Sequence, residues 1–508
     1  MKKKMEYQIV LEKIPRGIIE KIPYSFVRKN LALPVEESED LLIVALADPL
    51  NVYALDELHL MLDKKIKGVV ATEEKLLTFI NLCYNHEADA TSKLIAGMAE
   101  ESKSSSKEEG EVYDLLETHG EDAPIVRLLN LILSEAIGQR ASDIHFEPFE
   151  NDLQIRYRID GILQQRHAPK REYQAHLLTR IKVLAKLDIA EHRLPQDGRI
   201  KLKMGGREID FRVSTIPVAF GERIVLRILD KGNVSLGLTD IGMLPSVLDE
   251  FRRLISLPEG IVLVTGPTGS GKTTTLYSAL CETVSSEINA MTVEDPVEYK
   301  LQGIAQIAVH PKIGLTFATG LRHILRQDPD VIMIGEIRDQ ETAEIAVQAS
   351  LTGHLVLSTL HTNDAPSAIT RLVDMGIEPY LLSSTVVGVL AQRLVRKICP
   401  HCREAIQPTE AEIHELELSS LQLNGNHIYR GKGCPQCFGS GYQGRQGIYE
   451  LMPVTEKLQS KIAERTDSIE LRKLALNEGM SSLRKHGAHL VRSGITTASE
   501  VLRVTRKV

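Results

Sequence analysis

At 508 residues the chain is long enough for about three domains, and 43% hydrophobic with 25% charged residues is the composition of an ordinary globular protein. Lys and Arg total 61 against 68 Asp and Glu, a net charge of −7, and aromatics are 4% with no Trp. That balance offers neither the basic footprint of a nucleic-acid wrapper nor stacking platforms for single strands, so no nucleic-acid partner is expected. Six cysteines are too few for a disulfide scaffold. No apolar run approaches the ~18 residues of a membrane span, and the basic start lacks the apolar core of a signal peptide. A cytoplasmic protein is expected, touching the membrane only through partners.

Residues 1–85 read as a small α+β module. The apolar run 41–47, stopped by Asp48-Pro49, is a buried strand, Val52, Leu55, Leu58 and Leu62 have helical spacing, residues 67–72 suggest another strand, and Leu76, Leu77 and Ile80 mark a second helix. Residues 86–123 read as an acidic flexible linker, since such a stretch buries too little apolar surface to offset its ordering entropy. Within it, residues 100–122 hold nine acids and two lysines, which equals the whole net charge.

Residues 124–235 read as a second α+β domain. Pro124 opens an amphipathic helix, after which the period switches to two. Residues 153–163 form a hairpin about Asp160-Gly161, and another turns at Gly205-Gly206 between Ile200, Leu202, Met204 and Ile209, Phe211, Val213. Ile224, Leu226 and Ile228 extend the sheet. From residue 236 to 508, short apolar strands at 260–265, 289–293, 331–334 and 355–358 alternate with helices, the pattern of a parallel α/β sheet. A cysteine-bearing insertion near 397–440 and a helical tail over 455–508 follow.

The strongest motif is Gly266-Pro267-Thr268-Gly269-Ser270-Gly271-Lys272-Thr273, directly after a strand and before a helix opened by Thr274. This is a complete phosphate loop, whose backbone N–H groups and helix N-terminus cradle the β-phosphate of a nucleoside triphosphate. Lys272 is placed to reach the β/γ-phosphates, and the Thr273 hydroxyl to bind Mg²⁺. The apolar strand 331–334 leads into Gly335-Glu336, where Glu336 stands ready to polarise the attacking water although Gly335 replaces the usual Asp. Glu294, in Thr292-Val293-Glu294-Asp295-Pro296, ends another strand whose carboxyl end should line the ligand crevice. His354 and His361 flank a strand expected to end near the γ-phosphate. Solvated loop acids and structural histidines remain the alternative for these last three.

Taken in order, the 266–273 loop, Glu294 to Glu298, residues 321–330, Gly335 to Asp339 and residues 352–364 resemble the ATPases of type II secretion and type IV pilus assembly. There these segments are Walker A, Asp box, Walker B and His box. The likeness also takes in residues 141–148, 156–161, 444–450 and Gly494, so it covers about 124–508, and more loosely the first 85 residues. The resemblance implies a homohexamer of RecA-like ATP hydrolases, each preceded by a smaller domain packed on a neighbouring subunit, with arginine fingers at Arg212 and Arg227. Independently, Arg212 alternates with the inward Phe211 and Val213, and Arg227 with Leu226 and Ile228, so both point away from the core; a solvated basic face is the alternative. Arg322 and Arg326 are similar to family arginines near the nucleotide. The resemblance further implies docking of residues 1–85 to the cytoplasmic part of an inner-membrane secretion platform and contact with its polytopic protein. No cyclic-dinucleotide motif is recognised in residues 1–85.

Cys399, Cys402, Cys434 and Cys437 form two Cys-x-x-Cys pairs. Four thiolates favour a closed tetrahedral Zn²⁺, hence a structural centre, with a redox pair as the rival. Together these features read as an export ATPase using ATP, Mg²⁺ and Zn²⁺, with a pilus-extension ATPase as the alternative and a nucleic-acid motor behind it.

Overall fold

The protein is described from a computed structural model. It describes residues 9–84 in part, then 124–204, 207–230, 237–416 and 427–505; the acidic stretch 100–122 and the Gly205-Gly206 turn lie outside these. The chain forms two compact units, residues 1–233 and 234–508.

The first unit contains two separate hydrophobic cores. In the N-terminal one, β1 (Ala32–Glu37), β2 (Leu41–Leu46) and β3 (Lys65–Val70) form a sheet in that order, with α1 (Val52–Leu62) and α2 (Glu73–Tyr84) covering it. Asn51 caps α1 by accepting from the Ala54 N–H at 3.2 Å, as expected of an Asn before a helix. The second core lies between α3 (Pro124–Gly138) and a six-stranded antiparallel sheet. Its strands are β4 (Ala141–Pro148), β5 (Leu153–Ile159), β6 (Ile162–His167), β7 (Gln196–Met204), β8 (Arg207–Val218) and β9 (Gly221–Asp230), in the order β6-β5-β4-β9-β8-β7. Helix α4 (Gln174–Leu184) contributes Leu177, Leu178 and Ile181 to that core. Asp160 and Gly161 have φ of 48° and 85°, the left-handed pair that a two-residue hairpin turn requires.

In the second unit α5 (Pro245–Ile255) precedes β10 (Gly260–Thr265) and α6 (Lys272–Thr283). Then come β11 (Ala290–Glu294), β12 (Ala305–Ala308), α7 (Phe317–Ile324), β13 (Val331–Ile334), α8 (Gln340–Leu351), β14 (Leu355–Leu360), α9 (Pro366–Asp374) and α10 (Pro379–Thr385). The long β15 (Val386–Ile398) is followed by the short pair β16 (Arg403–Ile406) and β17 (Ile428–Gly431), with α11 (Glu410–Glu415) between them, and by β18 (Tyr442–Pro453). Helices α12 (Glu456–Ala463), α13 (Ser468–Asn477), α14 (Leu483–Arg492) and α15 (Ala498–Val504) form the tail. The central sheet runs β12-β11-β13-β14-β10-β15-β18, parallel throughout except that β18 is antiparallel to β15. Buried faces on both sides explain why β10 and β13 are mostly apolar and why the two hydroxyls of β14, Ser358 and Thr359, donate to the Ile334 and Gly335 carbonyls. The sequence reading missed β12, β15 and β18 as sheet strands. In β15 the reason is chemical, because Gln392, Arg393, Arg396 and Lys397 break up its apolar run.

Candidate nucleotide site and four-cysteine centre

The phosphate loop leaves the carboxyl end of β10 and enters α6, whose first residue is Lys272. Gly266 adopts φ 153°, and a Cβ there would stand 2.6 Å from the Gln392 carbonyl oxygen, so the close approach of β15 demands glycine. Gly271, at φ 89°, turns the chain into the helix. Pro267, Thr268, Gly269 and Thr273 are exposed while Ser270 is buried, so the crown of the loop faces solvent and its base faces the sheet. The Lys272 Nζ donates to the carbonyls of Gly266 at 2.8 Å and Pro267 at 3.2 Å. Burial brings its pKa down to about 8, with Glu336 opposing and Arg393 reinforcing the shift.

Glu336 follows β13 at the same edge of the sheet. Arg338 Nη2 donates to its carboxylate at 2.5 Å, and His361 Nε2, just past the end of β14, lies 3.3 Å from the other oxygen. Burial opposes ionisation of Glu336, yet Arg338 and His361 outweigh it and hold the carboxyl below the usual range. Gly335 sits where the common Asp would be, and a Cβ there would come within 3.3 Å of the Val293 carbonyl, so the site is too tight for a side chain without movement of β11.

Two residues expected to be catalytic are placed differently. Glu294 is 3% exposed, and its oxygens accept from Thr292 Oγ1 at 2.6 Å, Gln306 Nε2 at 3.0 Å and the Tyr277 hydroxyl. Three protein donors hold it, and through them it joins β11, β12 and α6 in a buried position. His354 precedes β14 and so lies at the opposite edge of the sheet from His361. Six strand residues separate them, about 23 Å over seven steps of ~3.3 Å. Its Nδ1 instead meets the Ala349 carbonyl at 2.8 Å and Thr352 Oγ1 at 3.1 Å. Arg322 pairs with Glu341 at 2.7 Å. The sequence reading gave Arg338 no role, although it stands two residues after Glu336.

In the first unit Arg212 lies directly opposite Arg227 across β8 and β9, on the face away from Phe211, Val213 and Leu226. The register continues to Arg199 on β7, to Asp143 on β4 and to Arg158 on β5. Arg227 Nε donates to Asp143 Oδ1 at 3.2 Å, and Arg158 Nε lies 3.6 Å from Oδ2. Sequence alternation found the face but not its full width: Arg199 and Arg158 show only once strand register is known.

The four cysteines converge from the end of β15 and the turn before β18, their Sγ atoms all within 4.8 Å of one another. Cys399 and Cys434 are 3.8 Å apart, Cys402 and Cys437 3.8 Å, and Cys434 and Cys437 3.7 Å. A disulfide would need about 2.05 Å; four sulfurs at ~2.3 Å from a tetrahedral ion lie roughly 3.8 Å apart, so the set fits a metal. The backbone N–H of Gly433 points at Cys402 Sγ, and those of Cys434 and Gly441 at Cys437 Sγ. Although burial opposes it, those two donors bring Cys437 down to about 7, whereas burial pushes Cys399 up to about 12.

Residues 118–503 match the family described as Type II/IV secretion system protein, and residues 10–90 match the MshEN domain. The chain is 47% identical over 505 residues to the Type II secretion system ATPase E of Vibrio cholerae, covering 98% of this chain and 99% of that one. The chain belongs to the secretion ATPase family. It is also 45% identical to the Type IV pilus assembly ATPase PilB of Myxococcus xanthus, over 96% of this chain and 86% of that one. Among solved structures, the Legionella pneumophila ATPase DotB superposes with a TM-score of 0.55 at 22% identity, over 77% of this chain and 98% of that one, showing the shared RecA-like fold. ATP hydrolysis is the chemistry of this secretion ATPase family. Among the described residues, no helix is long and apolar enough to cross a membrane.

Proposed function

We propose that this chain is the ATP-hydrolysing motor of a type II protein-secretion machine. The observation that carries the reading is the convergence of a complete phosphate loop, Lys272 and a braced Glu336 at one sheet edge, in a chain 47% identical to a type II secretion ATPase over nearly its full length.

In this reading the backbone N–H groups of Thr268 to Thr274 hold the phosphates, and Lys272 turns its ammonium from the loop carbonyls to the β/γ-phosphates. Glu336 accepts a hydrogen bond from the attacking water, and Arg338 and His361 fix the carboxylate that does so. Thr273 would hold Mg²⁺, whose chemistry when bound would be to neutralise phosphate charge. Arg212 and Arg227 reach the nucleotide of a neighbouring subunit in a homohexamer, so hydrolysis depends on assembly. Cys399, Cys402, Cys434 and Cys437 hold a structural Zn²⁺, and metal analysis should find about one zinc per chain, none being the result that restores the redox alternative.

Residues 1–85 form the docking module, 86–123 the tether, 124–235 the finger-bearing domain and 236–508 the motor. Through residues 1–85 the cytoplasmic ATPase is held to the inner membrane by the cytoplasmic part of a platform protein, next to a polytopic platform subunit, with no nucleic acid involved. The test pairs two variants in a secreting cell. Glu336→Gln should bind ATP normally, lose at least about a hundredfold in turnover and halt export; near-normal hydrolysis would remove Glu336 from the chemistry. Deletion of residues 1–85 should spare hydrolysis and still halt export. The 45% identity to PilB favours pilus extension as the second reading, and it would be preferred if the same variants stopped pilus assembly while leaving export intact.

A further inference from the structure

Gln392, in the middle of β15, is 1% exposed. A primary amide costs free energy to bury unless both its ends are bonded. Here both ends are, and both partners belong to the phosphate-loop segment: Nε2 donates to the Ser270 carbonyl at 2.7 Å, and Oε1 accepts from Thr275 Oγ1 at 2.8 Å. The Ser270 carbonyl and the Gly271 N–H share one planar trans peptide and therefore point in opposite directions. Fixing the carbonyl down onto β15 turns the Gly271 N–H up toward the open side of the loop, where phosphate oxygens bind. The backbone of the same residue bounds Gly266, as the 2.6 Å approach to its carbonyl shows. Both ends of the loop thus rest on one residue of the neighbouring strand.

The next residue extends the support. Arg393, 8% exposed, donates through Nη2 to the Asn363 carbonyl at 2.8 Å and to its Oδ1 at 3.2 Å. Thr362, beside Asn363, donates its N–H to Thr265 Oγ1 at 2.9 Å, and the two hydroxyls lie 2.7 Å apart. Thr265 is the last residue of β10 before the loop. The segment after β14, which carries His361, is therefore tied to the same strand as the phosphate loop.

We propose that Gln392 is a positioning residue for nucleotide binding, which presets the Ser270–Gly271 peptide so that its N–H faces the phosphates before the nucleotide arrives. The proposal rests on the ATPase reading and adds a residue outside every motif by which that reading was reached. A preset amide contributes affinity because the loop does not reorganise on binding.

The experiment compares three variants of the full chain by KM for ATP, kcat, ADP affinity and thermal midpoint. Gln392→Met keeps the volume and removes both bonds; KM and the ADP dissociation constant should rise about tenfold while kcat stays within about twofold. Gln392→Glu, the same size, replaces the donor to Ser270 with a second oxygen and a negative charge, so its loss of affinity should exceed that of Gln392→Met. Thr275→Val leaves the Ser270 bond and should raise KM only two- to threefold, which keeps the test open where a residue 392 variant fails to fold. A fall in thermal midpoint with KM unchanged in Gln392→Met or Thr275→Val would overturn the proposal, as would equal affinity in the Glu and Met variants. Absence of ATP binding by the unsubstituted chain would instead overturn the ATPase reading itself.

Discussion

The phosphate loop and the arginine face are both cationic surfaces suited to phosphate, and they are built in opposite ways. At the loop the cation is buried and already engaged: Lys272 donates to two loop carbonyls, and Glu336 nearby is matched by Arg338 and His361. Every charge has a partner within the same unit. On the sheet of the first unit, Arg199, Arg212 and Arg227 stand directly opposite one another on three successive strands, and the nearest acid in the row is Asp143 beyond Arg227. Like charges directly opposite one another are destabilising, and Asp143 offsets part of that cost at Arg227. A loop that is complete in itself needs only its ligand. A row of adjacent guanidinium groups, with Arg227 held by Asp143, has the form of half a site that a polyanion held elsewhere would complete.

The sharpest way to break this comparison is to remove one member of the row. Arg227→Ala should lower ATP turnover by about 10³-fold in the assembled enzyme, within the range known for arginine fingers. It should leave ADP binding by dilute, unassembled chains unchanged, because the loop is self-sufficient. The measurement is turnover against protein concentration, with nucleotide affinity in parallel. Equal loss of binding in the dilute chain would make Arg227 part of its own loop's site, and the contrast between complete and half site would fail.

How much of each region was legible in the sequence follows from the same difference. The phosphate loop is local: eight consecutive residues, with the strand before and the helix after, specify it without knowledge of the rest of the fold. The cysteine pairs are local in the same sense, though 31 residues separate Cys402 from Cys434 and only the fold brings their sulfurs together. The arginine face was half legible, since alternation shows which way Arg212 and Arg227 point, whereas Arg199 and Arg158 join them through register that turns and bulges set. What stayed hidden is whatever acts across the sheet. Gln392 supports the loop from 122 residues away, and as a polar residue in an apolar run it concealed the strand it belongs to. Glu294 and His354 show the converse limit. Each sits beside a strand end in a recognisable motif, yet buried hydrogen bonds engage one and strand direction carries the other to the far edge. Proximity in sequence to a motif does not say which edge of a parallel sheet a residue occupies.

A smaller effect separates the two surfaces by their titration. Burial brings Lys272 to about 8, so in the free protein its ammonium is largely present below that pH and is lost above it. A bound polyphosphate favours the charged form and raises this pKa, so binding above pH 8 must take up a proton. ADP affinity should therefore be nearly flat from pH 6.5 to 7.5 and should fall toward tenfold per pH unit above about 8. In this reading Arg227 does not serve its own chain's loop, so the profile in dilute chains should be the same in Arg227→Ala. Lys272→Arg binds more weakly at every pH, but its always-charged side chain should abolish the decline. Nucleotide titrations between pH 6.5 and 9.5 decide the matter: a decline that persists in Lys272→Arg assigns the proton to another group, and the buried amine would then not be the cation that the loop offers to phosphate.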